Sequence, residues 1–233
     1  MNVEKDYASI FYAFQHEKPV VSFADLLADV QAATLKKCAD VVELQAKTLE
    51  RCAVEIVLGA ETMAHAFANG KKLLAFGNGD SATDAQDVAV DCMLRGLPAL
   101  SLTNHTGVVT AIANDIGFEN VFLRQISALG KPGDLAIGIS TSGNSRDLEL
   151  AFEMAHRMEM VTMGLAGYEG GKTAELHRLG IVDFCFVAPS LHISRIQEAH
   201  ATIYHTLIEL TQRILERSEV ETLSNQDSVA TRI

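Results

Sequence analysis

The run Leu135–Ser145, LAIGISTSGNS, constrains this chain more than any other stretch. It opens as an unbroken apolar segment, the pattern of a strand buried on both faces of a parallel sheet. It then changes abruptly to Ser140, Thr141, Ser142, Gly143, Asn144 and Ser145. From Arg146 to Arg157, apolar residues at Leu148, Leu150, Ala151, Phe152 and Ala155 predict a helix. A hydroxyl-rich loop therefore joins the end of a strand to a helix N-terminus, where free N–H groups favour anions. The hydroxyls of Ser140, Thr141, Ser142 and Ser145 can donate to phosphate oxygens, and Gly143 permits close backbone approach. A capping loop accounts for one hydroxyl, with Ser145 as the cap; the other three point to a phosphate.

The surrounding chain supplies the frame. Short apolar strands at Leu73–Phe76, Ala99–Leu102, Val161–Leu165 and Phe184–Val187 alternate with helical segments, which predicts an α/β fold with a parallel sheet and right-handed crossovers. Ahead of them, residues 23–68 are almost free of Gly and Pro and carry apolar stripes for two long helices. A final helix is expected from Ser194 to Glu216. We divide the chain into a lead-in at 1–34, a main domain at 35–217 and a mobile polar tail at 218–233. The length of 233 residues suits one such domain. A net charge of −11 argues against a nucleic-acid surface, which needs clustered Lys and Arg. No apolar stretch approaches the ~18 residues of a membrane span, and the first residues lack a secretory pattern. Cys38, Cys52, Cys92 and Cys185 are scattered, with no CxxC pair, and are expected as buried free thiols in a cytoplasmic protein.

Candidate chemistry lies on two helices. Asp87 and Asp91 are spaced i,i+4 after the turn Gly77-Asn78-Gly79-Asp80-Ser81 and share a face. Gln197 and His205, about two turns apart on the last helix, also share a face. Two carboxylates, an amide and an imidazole can bind a metal or move protons. The plainer readings are a solvated face for Asp87 and Asp91, and a core histidine for His205 among Ile203, Tyr204, Leu207 and Ile208. His200 falls elsewhere on the helix, in a structural or surface position.

The loop ISTSGNS resembles the phosphosugar-binding loop of the SIS (sugar isomerase) domains. Phe76-Gly77-Asn78-Gly79-Asp80-Ser81, Leu102-Thr103-Asn104-His105, Thr110 to Asp115, Gly133-Asp134, Gly167 to Gly171 and Arg195 to His200 follow in that family's order. The resemblance spans about residues 35–215 and is nearest to the phosphoheptose isomerases, with a relative that binds the bacterial replication initiator close behind. It implies a three-layer α/β sandwich with a five-stranded parallel sheet of flavodoxin-like order, long N-terminal helices and a homotetramer. It implies a sugar phosphate held by Asn78, Gly79, Ser81, Arg95, His105, Ser140, Thr141, Ser142, Ser145 and Gln197. It makes Asp91 and His205 the acid–base pair, on opposite sides of the reacting carbons, and Asp87, Asp91, Gln197 and His205 a set that can bind zinc; no organic cofactor is implied. Asp87 and Asp91 stand where the family has His and Glu, His105 where it usually has Asp, and Ser194 where it often has Asp. The exchange of His105 for the helix His is either compensating or a mark of altered chemistry. The expected activity is interconversion of a ketose phosphate and an aldose phosphate, most nearly sedoheptulose 7-phosphate. The alternatives are a non-catalytic protein that binds a sugar phosphate or a partner protein, and chemistry on a different phosphosugar.

Overall fold

The computed structural model describes residues 22–230, with side chains described to Ser218. The expected lead-in at 1–21 lies outside the described residues. The chain divides into two units between Asp40 and Val41. The described part of the first is helical and exposes Phe23, Leu26, Leu27, Val30 and Leu35. At its start Ser22 accepts from the Asp25 N–H at 3.2 Å, as an N-cap should.

Two helices were expected over 23–68; one is found, α1, running Phe23–Ala68 without a break. No proline interrupts it, and Gly59 sits inside it where a Cβ would come within 3.2 Å of Phe186 and 3.3 Å of Leu207. After α1 come β1 (Leu73–Gly77), α2 (Asp80–Leu94), β2 (Ala99–Ser101), α3 (Thr106–Ile116) and α4 (Val121–Leu129). These are followed by β3 (Leu135–Ser140), α5 (Arg146–Arg157), β4 (Val161–Gly167), α6 (Gly171–Arg178), β5 (Phe184–Ala188) and α7 (Ile193–Ala230). Helix α6 was not anticipated, because its eight residues are too short to display an apolar period. Helix α7 passes its expected end at Glu216, since the last Gly and Pro are Gly180 and Pro189 and nothing stops it.

All strands pair in parallel in the order β2-β1-β3-β4-β5. Every residue of β1 and β3 is buried, as their continuous apolar runs predict. One face of the sheet packs Cys52, Ile56 and Met63 of α1, Val88 and Cys92 of α2, and Ile203, Tyr204, Leu207 and Ile208 of α7. The other packs Phe122 and Ile126 of α4, Leu148 and Phe152 of α5, and Leu176 of α6. The three layers are those the fold class requires. The order reverses between β1 and β3: α2 leaves toward one face and α5 toward the other. Ligands bind such sheets at this crevice, outside the carboxyl ends of the strands.

Three of the cysteines meet expectation: Cys52 and Cys92 are buried and Cys185 is half-buried, all as free thiols. Burial pushes the Cys92 and Cys185 thiols up to about 12. Cys38 departs from it, being exposed on the helical segment that carries the exposed apolar stripe.

Candidate active site

The two loops of the crevice are tied together. Asn78, in the turn after β1, donates to Asp147 Oδ2 at 2.8 Å. Asp147 lies in the first turn of α5, is buried, and also accepts backbone N–H groups from that turn. Burial raises its carboxyl above the usual range, opposed by those hydrogen bonds. The turn of Gly77, Asn78 and Gly79 lines a cavity of about 250 Å3 with Thr103, Phe118 and Phe122. Ser81 is buried beneath it. Asp147→Ala removes Asn78's acceptor, whereas Asp147→Asn keeps one; the alanine variant is expected to weaken sugar-phosphate binding about tenfold and the asparagine variant much less, by calorimetry.

The hydroxyl loop is poised for an anion. Ser145 occupies the N-cap position of α5 with extended backbone, yet its hydroxyl makes no capping bond. It faces Ser140 Oγ at 3.2 Å, and Ser140 Oγ also faces Ser142 Oγ at 3.5 Å. The simple capping explanation is thus not what the loop does: three hydroxyls cluster at the N-terminus of α5. The backbone is held by Gly143 N–H to Ser140 Oγ (3.1 Å) and Asn144 N–H to Ser142 Oγ (3.2 Å).

Sequence reasoning missed the buttress behind this loop. The start of α6 grips it: Lys172 N–H donates to Asn144 Oδ1 at 2.9 Å, and Thr173 N–H to the Gly143 carbonyl at 2.9 Å. Gly171 has φ +52, and a Cβ there would come within 2.6 Å of the Ser142 carbonyl and 2.7 Å of Asn144 Oδ1. Gly171→Ala is therefore expected to lose at least ~1–2 kcal/mol of stability from the left-handed backbone alone and to weaken phosphate binding by moving the loop. Thermal melts and calorimetry on one sample check both effects.

The acid–base residues converge from α2 and α7. Core packing of Val88 and Cys92 against Ile203 and Leu207 sets these helices side by side. His205 Nδ1 lies 3.1 Å from Asp91 Oδ2, and Nε2 lies 3.4 Å from Asp87 Oδ2. Arg95 Nε reaches Asp91 Oδ1 at 3.2 Å. The Asp91 side chain reaches His205 although it is one methylene shorter than Glu. Two expectations are corrected. His205 is not a core histidine: its side chain is 51% exposed, while its apolar neighbours are buried. Asp91 and His205 do not face each other across a gap; they touch. His200, by contrast, is fully buried, and burial lowers its imidazole to about 4, which makes it a neutral core group and not a surface one.

Gln197 lies half-buried two turns before His205 on α7. Ser194 is exposed in the first turn of that helix. His105 does not join the cluster: at the N-cap of α3 it lines a separate cavity with Leu100, Val108, Arg124 and Leu129. It thus makes no compensating exchange with the helix carboxylates. Of the set expected for zinc, Asp87 and Asp91 each face a ring nitrogen of His205. Among the described residues no group of three or more His, Cys, Asp or Glu side chains is placed to hold a metal ion.

Two residues not singled out from sequence adjoin this cluster. The Tyr204 hydroxyl donates to Asp87 Oδ2 at 2.7 Å. Asp84, one turn before Asp87, has a buried Oδ2 without a hydrogen-bond partner. Burial, with Asp87 and Asp80 nearby, pushes its carboxyl up to about 6. A carboxyl with a raised folded-state pKa holds its proton more tightly when folded. Its contribution to stability is full below 3.8 and is lost as pH rises to about 6. Asp84→Asn is expected to stabilise the protein at about pH 8 and to have little effect near pH 4, as read by thermal melts.

A parallel sheet that reverses order at a hydroxyl-rich loop, with carboxylates and an imidazole paired between α2 and α7, has the parts of a phosphosugar site. Residues 38–167 match the SIS domain model, and the chain belongs to the SIS-domain family. Its relatives there are phosphoheptose isomerases. That of Geotalea daltonii is 46% identical over 159 residues, covering 66% of this chain and 80% of the relative. That of Aquifex aeolicus is 44% identical over 163 residues, covering 67% and 83%. The solved structure of the phosphoheptose isomerase of Neisseria gonorrhoeae superimposes with a TM-score of 0.73 at 36% identity, over 79% of this chain and 99% of that one.

Proposed function

We infer that the chain is an aldose–ketose isomerase of the phosphoheptose type, acting on sedoheptulose 7-phosphate. The observations that carry this are the Asp91–His205 contact and an anion loop whose Ser145 hydroxyl is not used for capping. The phosphate docks on Ser140, Thr141, Ser142, Ser145 and the α5 N-terminus, which fixes the sugar's far end. Asn78, held by Asp147, presents the turn after β1 to the same ligand. Asp91 takes the proton from the carbon next to the carbonyl, the carbonyl oxygen takes one from solvent, and the enediol forms. Direct contact lets the carbon-derived proton pass from Asp91 to His205, whose exposed ring delivers it to the neighbouring carbon as the other enediol hydroxyl gives its proton to solvent. Arg95 holds the other oxygen of Asp91 and fixes its direction. No step is assigned to a metal.

The test is exchange of the C2 proton in deuterated water across six- and seven-carbon ketose and aldose phosphates. Exchange and interconversion support the isomerase; binding without exchange leaves only the sugar-phosphate-binding alternative, which the Asp87 and Asp91 replacements favour.

The protein works in the cytoplasm, where phosphorylated sugars are retained, and assembles as a homodimer or homotetramer. Among the described residues, no helix is long and apolar enough to cross a membrane. Val42, Leu49, Val54, Val57 and Leu58 of α1 and Val90, Met93 and Leu94 of α2 are exposed, more apolar surface than a monomer usually leaves in water. A groove of about 480 Å3 lies between α1 and α7, lined by Val42, Leu49, Ile56, Ala199 and Ile203. Light scattering is expected to give at least a dimer; a monomer mass at micromolar concentration would sink this assignment.

A further inference from the structure

The segment Gly167-Tyr168-Glu169-Gly170-Gly171 leads from β4 into α6 at the carboxyl end of the sheet, and it lies directly against the hydroxyl loop. A Cβ on Gly143 would run into the Gly170 carbonyl oxygen, and one on Gly167 into the Thr141 carbonyl oxygen. With Gly171 against Ser142, glycines on both sides let the two main chains touch. Tyr168, inside this segment, has φ +52. We propose that Tyr168 is a positioning residue of the phosphate site: its ring anchors the segment, and the segment holds the hydroxyl loop in place.

The backbone is the starting point. Gly170 N–H donates to the Gly167 carbonyl at 2.8 Å, which closes a turn with Tyr168 as its first central residue. A positive φ at that position belongs to turn types that favour glycine, because a Cβ crowds the following carbonyl oxygen. A residue with a side chain persists in such a conformation only where its surroundings over-determine it. Glycine would take this turn freely. The side chain at 168 is therefore explained by what it touches and not by the turn.

Tyr168 packs on a small buried cluster: Leu44 of α1, Ala188 of β5, and Ile196 and Ala199 of α7. Three separate elements thus grip one side chain. The other ties of the segment are weaker. Tyr168 N–H donates to the Ser190 carbonyl at 3.2 Å. Arg51 of α1 reaches Glu169 at 3.4 Å, but both side chains are largely exposed, and such a pair contributes little. Just beyond the segment, the N–H groups of Lys172 and Thr173 hold Asn144 Oδ1 and the Gly143 carbonyl. Without the ring, the turn loses what keeps its backbone left-handed. Relaxation would then shift Gly170 and Gly171 against Gly143 and Ser142, and with them the hydroxyls that face the phosphate.

This inference rests on the isomerase reading, and calorimetry with inorganic phosphate, which needs no turnover, keeps the two apart. Tyr168→Ala removes the ring and leaves the strained turn. Tyr168→Gly removes the ring and the strain together, and serves if the alanine variant fails to fold. Each should weaken binding of inorganic phosphate and of sedoheptulose 7-phosphate about tenfold, as for loss of one hydrogen bond to a charged group. KM should rise by that factor with kcat within about twofold of wild type, because the phosphate is held alike in the ground and transition states. Tyr168→Phe keeps the ring and should restore wild-type affinity. A ring that only stabilised the fold would lower the active fraction, and so kcat, with KM and Kd unchanged; that result overturns the proposal. So does a folded alanine or glycine variant that binds phosphate as wild type does, or a phenylalanine variant as weak as the alanine one. In each of these cases the isomerase reading stands. If wild type turns over no sugar phosphate but the variants show the expected losses of binding, the isomerase reading falls and the positioning role survives.

Discussion

Asp91→Asn and His205→Ala should each lower kcat by ~100-fold or more, the usual contribution of a general acid or base, while KM changes little. The expectation follows from the relay geometry. Asp91→Asn keeps the side chain's shape and an oxygen for Arg95, but the amide can no longer accept a carbon-bound proton. His205→Ala leaves Asp91 in place with no partner to pass the proton on. Because the two residues touch at 3.1 Å, they act as one unit. The double variant should therefore be little worse than either single one, as found wherever catalytic groups act together. Steady-state rates on sedoheptulose 7-phosphate, with calorimetry for binding, measure this directly. Multiplicative losses in the double variant would show that the pair does not work as a relay.

Ser142→Glu should abolish sugar-phosphate binding. The Ser142 hydroxyl stands 3.5 Å from Ser140 Oγ and accepts the Asn144 N–H, in the middle of the loop. A carboxylate there places like charge against the phosphate dianion at a helix N-terminus that would then serve the glutamate itself. The loss should exceed ~100-fold in Kd, since a close like-charge contact in a partly desolvated site costs several kcal/mol. Calorimetry at a fixed ionic strength tests it. Unchanged affinity would remove the hydroxyl loop as the phosphate anchor, whatever the fate of the acid–base pair.

The sheet was legible because burial on both faces leaves an unmistakable mark on β1 and β3, and the strand–loop–helix step at Ser140 because the apolar run ends there abruptly in hydroxyls. Helix limits were less legible. A break expected within 23–68 did not occur, since periodicity shows which face is apolar and says little about continuity when no proline intervenes. The acid–base cluster was half legible. Spacing put Asp87 with Asp91 and Gln197 with His205, but only the packing of α2 on α7 brings the pairs into contact. Tyr204 was hidden because its ring satisfies the apolar pattern of α7 and its hydroxyl bonds across to another helix. Gly171 was hidden for a related reason: its demand arises from a loop that lies a whole helix and strand earlier in the chain, at Ser142 and Asn144. His105 is a different case: it lines another cavity, with Leu100, Val108 and Arg124, which its loop position alone does not reveal.

The order of the site's parts along the chain has a consequence for synthesis on the ribosome. The turn after β1 and the hydroxyl loop after β3 can meet as soon as α5 has emerged, since Asn78 and Asp147 already tie them. The strands that flank them, β1 and β3, pair directly in register from Leu73 with Leu135 to Gly77 with Ile139. His205 and Tyr204 arrive only with α7, the last of the described elements, which also covers the apolar stripe of Cys52, Ile56 and Met63. A nascent chain thus forms its hydroxyl loop before Asp91 can meet His205. A chain stopped before α7 would keep an anion loop, leave part of its core open to water, and turn nothing over.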